Sequence, residues 1–215
     1  MTQPFLLATS APERAVFDLV ELLRYPVLIG VVVALALALY EVGILVAELH
    51  RRRGRAQGLL DDLMPRARVA LGDGDRQQAG NILRPVARGA DASAALRAIV
   101  DSAGTPQADP RAAKALADLD LRAMRRLERP RLLVRAGPAL GLMGTLIPLS
   151  PALAGLARGD VQQLSDNLRA AFAITVIGLL TGAAAYGVAL VRDRLYAQDL
   201  SDLEFVAATI TEPAA

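Results

Sequence analysis

Two threonines stand in long apolar stretches of the chain, where a polar side chain needs a partner because no water is available. Thr145 and Thr175 each lie among glycines and alanines, at spacings that place the hydroxyl on a small-residue face of a helix. The two hydroxyls could meet across a pair of helices and form a shared polar stripe. Alternatively, each hydroxyl bonds to the carbonyl four residues earlier in its own helix, which is common in membrane helices.

Two prolines add polar backbone groups to the same stretch. Pro148 and Pro151 have no N–H, so the carbonyls of Gly144 and Ile147 lose their helical partners. Carbonyls freed at membrane depth require protein or water partners. We therefore expect a kink at these prolines and a freed Gly144 carbonyl close to the Thr145 hydroxyl.

Glu41 is the one acidic residue within an apolar run. A carboxylate at the bilayer centre costs about 2.5 to 3.5 kcal/mol, and less near the surface. Two explanations remain open for it. Glu41 either snorkels to the interface together with Glu48, or it faces protein as an ion ligand or a packing contact.

The composition excludes most enzyme chemistry. The chain has no Cys, no Trp and a single His, so it has no thiolate nucleophile, no disulfide framework, no Cys-type zinc site and no His-rich metal site. The sequence also has no nucleophile paired with a base and no phosphate-binding loop. We predict no catalytic residue, no metal and no cofactor, and an enzyme is the least favoured class of protein.

Three apolar runs are long enough to cross a bilayer core of about 30 Å as helices. They are Pro26–Ala47, Gly137–Ala157 and Ala170–Val191. Of the 24 basic residues, 18 lie between His50 and Arg135, which places that segment in the cytoplasm by the positive-inside rule. The N-terminus is then outside and the C-terminus inside.

The sequence thus predicts an all-α membrane protein with a helical cytoplasmic domain. The expected division is an external N-terminus (1–25), a first span (26–47), a cytoplasmic domain (48–136), a second span (137–157), an external loop (158–169), a third span (170–191) and a cytoplasmic C-terminus (192–215).

Turn signals divide the cytoplasmic domain into helices near Gly58–Leu71, Asp75–Arg88 and Ala92–Asp101. A longer charged helix begins near Pro110 and is expected to continue directly into the second span. Basic residues also follow the first span closely, namely Arg51, Arg52, Arg53 and Arg55. We interpret this cluster as a stop-transfer and headgroup-binding segment rather than a nucleic-acid patch.

Small residues predict close helix packing in the second and third spans. Gly137 with Gly141, and Gly178 with Gly182, form two GxxxG patterns that allow backbones to approach. Thr181 is expected to point away from the second of these faces. Because a three-helix monomer would leave part of these faces uncovered, we predict a homo-oligomer.

The segments GPALGLMGTLIPL and AITVIGLLTGAAAYGVAL resemble the second and third helices of the MotA/TolQ/ExbB proton-channel family. Gly141 to Thr145 match the family's Gly-Leu-x-Gly-Thr motif, and Thr175 to Leu179 match its Thr-x-x-Gly-Leu motif. The resemblance implies a pentamer around an ExbD/TolR/MotB-like single-pass partner whose membrane Asp carries the proton. It also implies that Thr145 and Thr175 face the pore. ExbB and TolQ proteins typically carry an acid five positions before the third-helix threonine, where this chain has Ala170.

The leading functional hypothesis is therefore a proton channel subunit of the inner membrane that couples the proton-motive force to mechanical work or to transport across the envelope. Each proton that crosses 100 mV releases about 2.3 kcal/mol. The alternative hypothesis is a non-conducting oligomeric scaffold, which would have the same small residues but would not need an aligned threonine pair.

Overall fold

The computed structural model describes Leu19, residues 22–52 and residues 59–211. This part of the chain contains six helices and no strand, which confirms the all-α prediction. The helices are α1 (Arg24–Arg52), α2 (Leu59–Gly72), α3 (Arg76–Leu83), α4 (Ala90–Ser102), α5 (Ala108–Ala157) and α6 (Val161–Thr211). By length and composition, α1, α5 and α6 can each cross a membrane.

The short helices follow the turn signals in the sequence, with one difference. Asp75 caps α3, because its side chain accepts a hydrogen bond of 2.8 Å from the backbone N–H of Gln78. The helix ends at Leu83 rather than at the predicted Arg88. Pro85 has no N–H to give to the carbonyl of Asn81, so the helical ladder stops there.

α5 is one unbroken helix of 50 residues. The backbone stays helical at four of its prolines, namely Pro130, Pro138, Pro148 and Pro151. The charged N-terminal half is therefore continuous with the apolar second span, as predicted from the sequence.

The connection between α5 and α6 is much shorter than the predicted external loop. Gly159 has a left-handed φ of +80°, and its N–H bonds to the Leu156 carbonyl while the N–H of Asp160 bonds to that of Gly155. Asp160 then caps α6 by accepting from the N–H of Gln163 at 2.9 Å. Residues 161–169, expected as loop, are consequently helical, and α6 continues past the third span to Thr211.

The chain forms two compact units. The first consists of residues 1–42 and 131–186, and the second of residues 43–130 and 187–215. The second unit has a core of alanine and larger aliphatic side chains from α2 to α6. Leu83, Val100, Leu203 and Val206 are its largest fully buried side chains. The first unit has a much smaller aliphatic cluster, which contains Ala34, Ala38, Leu133 and Ala185.

Candidate functional site

A seam of small residues joins α5 to α6 in the first unit. On α5 the buried positions recur every three or four residues, which is one face of a helix. A Cβ added to Gly178 would lie 2.7 Å from the Gly137 carbonyl oxygen and 2.7 Å from the Cα of Gly141. A Cβ on Gly182 would lie 2.9 Å from the ring of Pro138. The two backbones are in contact, so these glycines leave no room for any side chain.

The glycine faces are therefore covered within one chain. α5 and α6 are neighbours joined by a three-residue turn, which brings the face of Gly137 and Gly141 against that of Gly178 and Gly182. The sequence argument that a single chain would leave these faces uncovered does not hold for these four positions.

Thr181 belongs to this seam, contrary to the expectation that it points away. Its side chain is 0% exposed, and its Cβ lies 3.3 Å from the position of a Cβ on Gly137. Its hydroxyl donates to the Ile177 carbonyl at 2.8 Å. The sequence places Thr181 on another face when only the four-residue spacing of Gly178 and Gly182 is considered. Contacts between packed helices alternate three and four residues apart, and Thr181 is three residues from Gly178.

Thr145 and Thr175 lie at the edges of the seam and are both half-buried. The Thr145 hydroxyl donates to the Leu142 carbonyl at 2.7 Å, and the Thr175 hydroxyl donates to the Ala171 carbonyl at 3.3 Å. A hydroxyl has one proton to donate, so neither threonine donates to the other in this arrangement. Each oxygen still has lone pairs that can accept a hydrogen bond.

Neither threonine lines the cavity that the helix pair forms with α1. Ile147 of α5 and Ile174 of α6 line a cavity together with Leu28 of α1, so these two isoleucines mark the side that faces α1. At about 100° per residue, Thr145 is about 160° around α5 from Ile147, and Thr175 is about 100° around α6 from Ile174. Both threonines therefore lie off the part of the helix surface that lines this cavity.

The cavity on the α1 side has a volume of about 60 Å³. Gly144 and Pro148 line it, together with Arg24, Asn167 and Ala170. Such a volume holds a few water molecules where polar groups are present, and the Gly144 carbonyl freed by Pro148 is such a group.

Glu41 lies on α1, whereas the threonines lie on α5 and α6. Its side chain is only 6% exposed, and it continues a stripe of buried α1 residues that includes Val31, Ala34 and Ala38. Its spacing from Ala34 and Ala38 places it on the face of α1 that packs against protein. Of the two explanations from the sequence, the buried position supports the protein-facing one rather than snorkelling.

A cluster of ion pairs in the second unit is a feature that the sequence analysis missed. The Arg52 guanidinium donates to both carboxylate oxygens of Asp199, at 2.9 and 2.7 Å, and to Glu48 at 3.0 Å. Arg192 lies 3.8 Å from the second oxygen of Glu48. Arg88 donates to the backbone carbonyl of Arg52 at 2.7 Å.

Arg52 is therefore a structural ion-pair residue, not a headgroup ligand. Its side chain is 12% exposed and that of Asp199 is 6% exposed. Burial lowers the pKa of the Arg52 guanidinium, but the hydrogen bond and charge of Asp199 and the charge of Glu48 outweigh it and raise the pKa above its ordinary value. Arg53 and Arg55 of the predicted headgroup cluster lie outside the described residues. Because the partners are 147 residues apart in sequence, only the fold reveals the Arg52–Asp199 pair.

The model of the MotA/TolQ/ExbB proton channel family matches residues 88–204. The chain belongs to this family. The match covers α4, α5 and most of α6, and so includes both threonines and the whole glycine seam. No individual curated protein matches the chain.

Membership in the MotA/TolQ/ExbB family, together with three apolar helices, makes this a multi-pass inner-membrane protein with a role of the proton-channel type in general. Members of the family are channel or scaffold proteins and not enzymes. They associate in general with single-pass partners of the ExbD, TolR or MotB type.

Proposed function

We propose that the chain is a proton-conducting subunit that works with a single-helix partner carrying a membrane Asp. Together they would couple the proton-motive force to mechanical work or to transport across the envelope. The observation that carries the proposal is the position of Thr145 and Thr175. Both threonines are half-buried at the edges of the glycine seam and outside the cavity next to α1, on the helix pair that the family model matches.

The hydroxyls are suited to a carboxyl group that changes protonation. A protonated Asp can donate to the threonine oxygens, which retain accepting lone pairs while their protons are bound to Leu142 and Ala171. An ionised Asp instead requires donors, so a threonine would have to turn its proton away from its own helix. Each proton transfer thereby changes the contact between partner and subunit, which is how a gradient can drive movement.

We further propose a homo-oligomer, the pentamer that the family resemblance implies, arranged around the partner. The glycine seam is used within the chain, so the contact surface between copies must be elsewhere. Large apolar side chains flank both threonines and are exposed in the single chain. They are Leu142, Leu146 and Leu149 on α5, and Phe172, Val176 and Leu179 on α6. In a bilayer this surface can pack against lipid or against a second copy.

The proposed topology places the N-terminus outside and the C-terminus inside, with the spans at 26–47, 137–157 and 170–191. Residues 48–136 and 192–215 would then carry 20 of the 24 basic residues on the cytoplasmic side. Because Glu41 belongs to α1 and is only 6% exposed, we propose for it a role as a buried protein-facing carboxyl group, apart from the threonines of α5 and α6.

A non-conducting oligomeric scaffold is the second candidate function. Two hydrogen bonds favour it, because the hydroxyls of Thr145 and Thr175 each donate to a carbonyl of their own helix. A scaffold would need the seam and the exposed apolar surface but not the hydroxyls.

Proton flux separates the two functions. Lipid vesicles containing the subunit and its partner should pass protons, and Thr145→Val or Thr175→Val should lower that flux by about tenfold or more, equal to about 1.4 kcal/mol of barrier. Valine keeps the shape of threonine and removes the hydroxyl. Thr181→Val is the matched control, because that hydroxyl is buried in the seam and should leave flux within about twofold. Full flux in both test variants, at matched oligomer content, would favour the scaffold.

A further inference from the structure

A basic groove lies between α3 and α4 in the second unit, apart from the proposed channel. It has a volume of about 590 Å³, which is within the range of small-molecule sites of about 300 to 1,000 Å³. Leu96 and Val100 are among its lining residues and are buried, so the groove has an apolar base. Polar side chains of Gln77 and Asn81 also line it.

The charge of the groove is unbalanced. Arg76, Arg84 and Arg97 line it, against the single acidic residue Asp101. Arg76 is held in place, because its guanidinium donates to the Ala103 carbonyl at 3.3 and 3.1 Å. Arg84 and Arg97 are exposed, and neither makes a hydrogen bond or ion pair with any residue in the described part of the chain.

Gly80 gives the groove part of its depth. It stands in the middle of α3, where glycine disfavours a helix relative to alanine. Packing does not require a glycine there, since an added Cβ would only reach ordinary contact with Val100, at 4.0 Å. The missing side chain leaves space next to the arginines rather than permitting a close backbone approach.

We propose that this groove binds a phosphate-bearing anion. The planar guanidinium of arginine matches phosphate oxygens with paired hydrogen bonds, and two of the three arginines have these donors available. The apolar base suits a ligand that carries an uncharged body beside its phosphate. The proposal does not depend on proton conduction, because no residue of the groove belongs to the seam or to its threonines.

Calorimetric titration of the full chain tests the proposal. The chain is placed in nanodiscs of phosphatidylcholine and titrated with inorganic pyrophosphate, for which we expect saturable binding. The double variant Arg84→Gln with Arg97→Gln should weaken binding by about tenfold or more, and Gly80→Leu should do the same by filling the groove. The matched control is Arg66→Gln with Arg111→Gln, which removes two exposed charges of the same unit outside the groove.

A second titration distinguishes a soluble ligand from a lipid headgroup. In nanodiscs that contain phosphatidylglycerol, a headgroup in the groove should compete and weaken pyrophosphate binding to the unaltered chain. Unchanged binding would indicate a soluble phosphate compound. The proposal is overturned if pyrophosphate does not bind saturably in phosphatidylcholine nanodiscs, or if the control variant loses as much affinity as the groove variant.

Discussion

The two units of the chain are held together by different kinds of contact. In the first unit, α5 and α6 approach so closely that the backbone of Gly178 touches that of Gly137 and Gly141. In the second unit, aliphatic side chains form an ordinary core, and buried ion pairs centred on Arg52 join α1 to α6. The helix pair of the first unit depends on glycines, which have no side chain. The second unit depends on packed aliphatic side chains and on ion pairs.

This difference has a functional consequence. Backbone contact between α5 and α6 does not use the hydroxyls of Thr145 and Thr175, which lie at the edges of the seam and keep lone pairs that can accept a hydrogen bond. The second unit instead holds its charges in fixed pairs, as Arg52 holds Asp199. Close backbone packing in the first unit and paired charges in the second are therefore two different ways of fixing a helix pair.

The largest expected effect comes from adding one methyl group to the seam. Gly178→Ala places a Cβ 2.7 Å from the Gly137 carbonyl oxygen, so the helices must separate. Overpacking of this kind costs typically about 1 to 3 kcal/mol, and the cost should be at the upper end here because backbone cannot rotate away. Thermal unfolding in detergent, followed by helical circular dichroism, measures the loss.

Gly187→Ala is the matched control for that prediction. It makes the same change on the same helix, but nothing lies within 4 Å of the added Cβ. We expect unchanged or slightly higher stability, because alanine favours the helix. Equal destabilisation by both substitutions would show that the backbone contact at Gly178 is not what holds the pair.

The next effect concerns the buried ion pair of the second unit. Asp199→Asn keeps the size of the side chain and removes its charge, so that buried Arg52 loses one acidic partner and keeps Glu48. Breaking a buried pair of this kind costs about 3 to 5 kcal/mol, and the remaining Glu48 contact should reduce this to about 2 kcal/mol. Chemical unfolding monitored on the second unit measures the difference.

An exposed pair provides the comparison. Lys114 and Asp118 form an ion pair on the surface of α5, with Lys114 72% exposed. Asp118→Asn should change stability by less than about 0.5 kcal/mol, because solvent screens such pairs. If Asp199→Asn and Asp118→Asn lower the free energy of unfolding by the same amount, burial does not strengthen the Arg52–Asp199 contact.

The sequence predicted the helices well because their signals are local. Asp75 and Gly159 mark helix ends by the chemistry of one or two residues, and the apolar runs identify the three membrane helices by length alone. The loop at 158–169 was predicted too long, since polar residues such as Gln162 and Asp166 were interpreted as loop although they continue the helix.

The candidate site was only partly predictable. Its glycines and threonines could be named from their spacing and from the family motifs, but the side of the helix that each one faces depends on packing. Thr181 was assigned to the wrong side for this reason. The Arg52–Asp199 pair joins residues far apart in sequence, and no local pattern indicates such a contact.

The last test of the first unit comes from Pro148→Ala, which is not expected to weaken the fold. The new N–H can bond to the Gly144 carbonyl, which removes a freed polar group from the cavity of about 60 Å³. Restoring that bond should leave the free energy of unfolding equal or raise it. The increase should be less than the roughly 3 kcal/mol measured for interior prolines in water, because Pro148 is buried and alanine loses part of its packing. If water at this cavity serves the proton path, flux at matched oligomer content should fall even though the fold is no weaker. If flux is unchanged, the cavity on the α1 side is structural, and the two threonines alone remain as the candidate path.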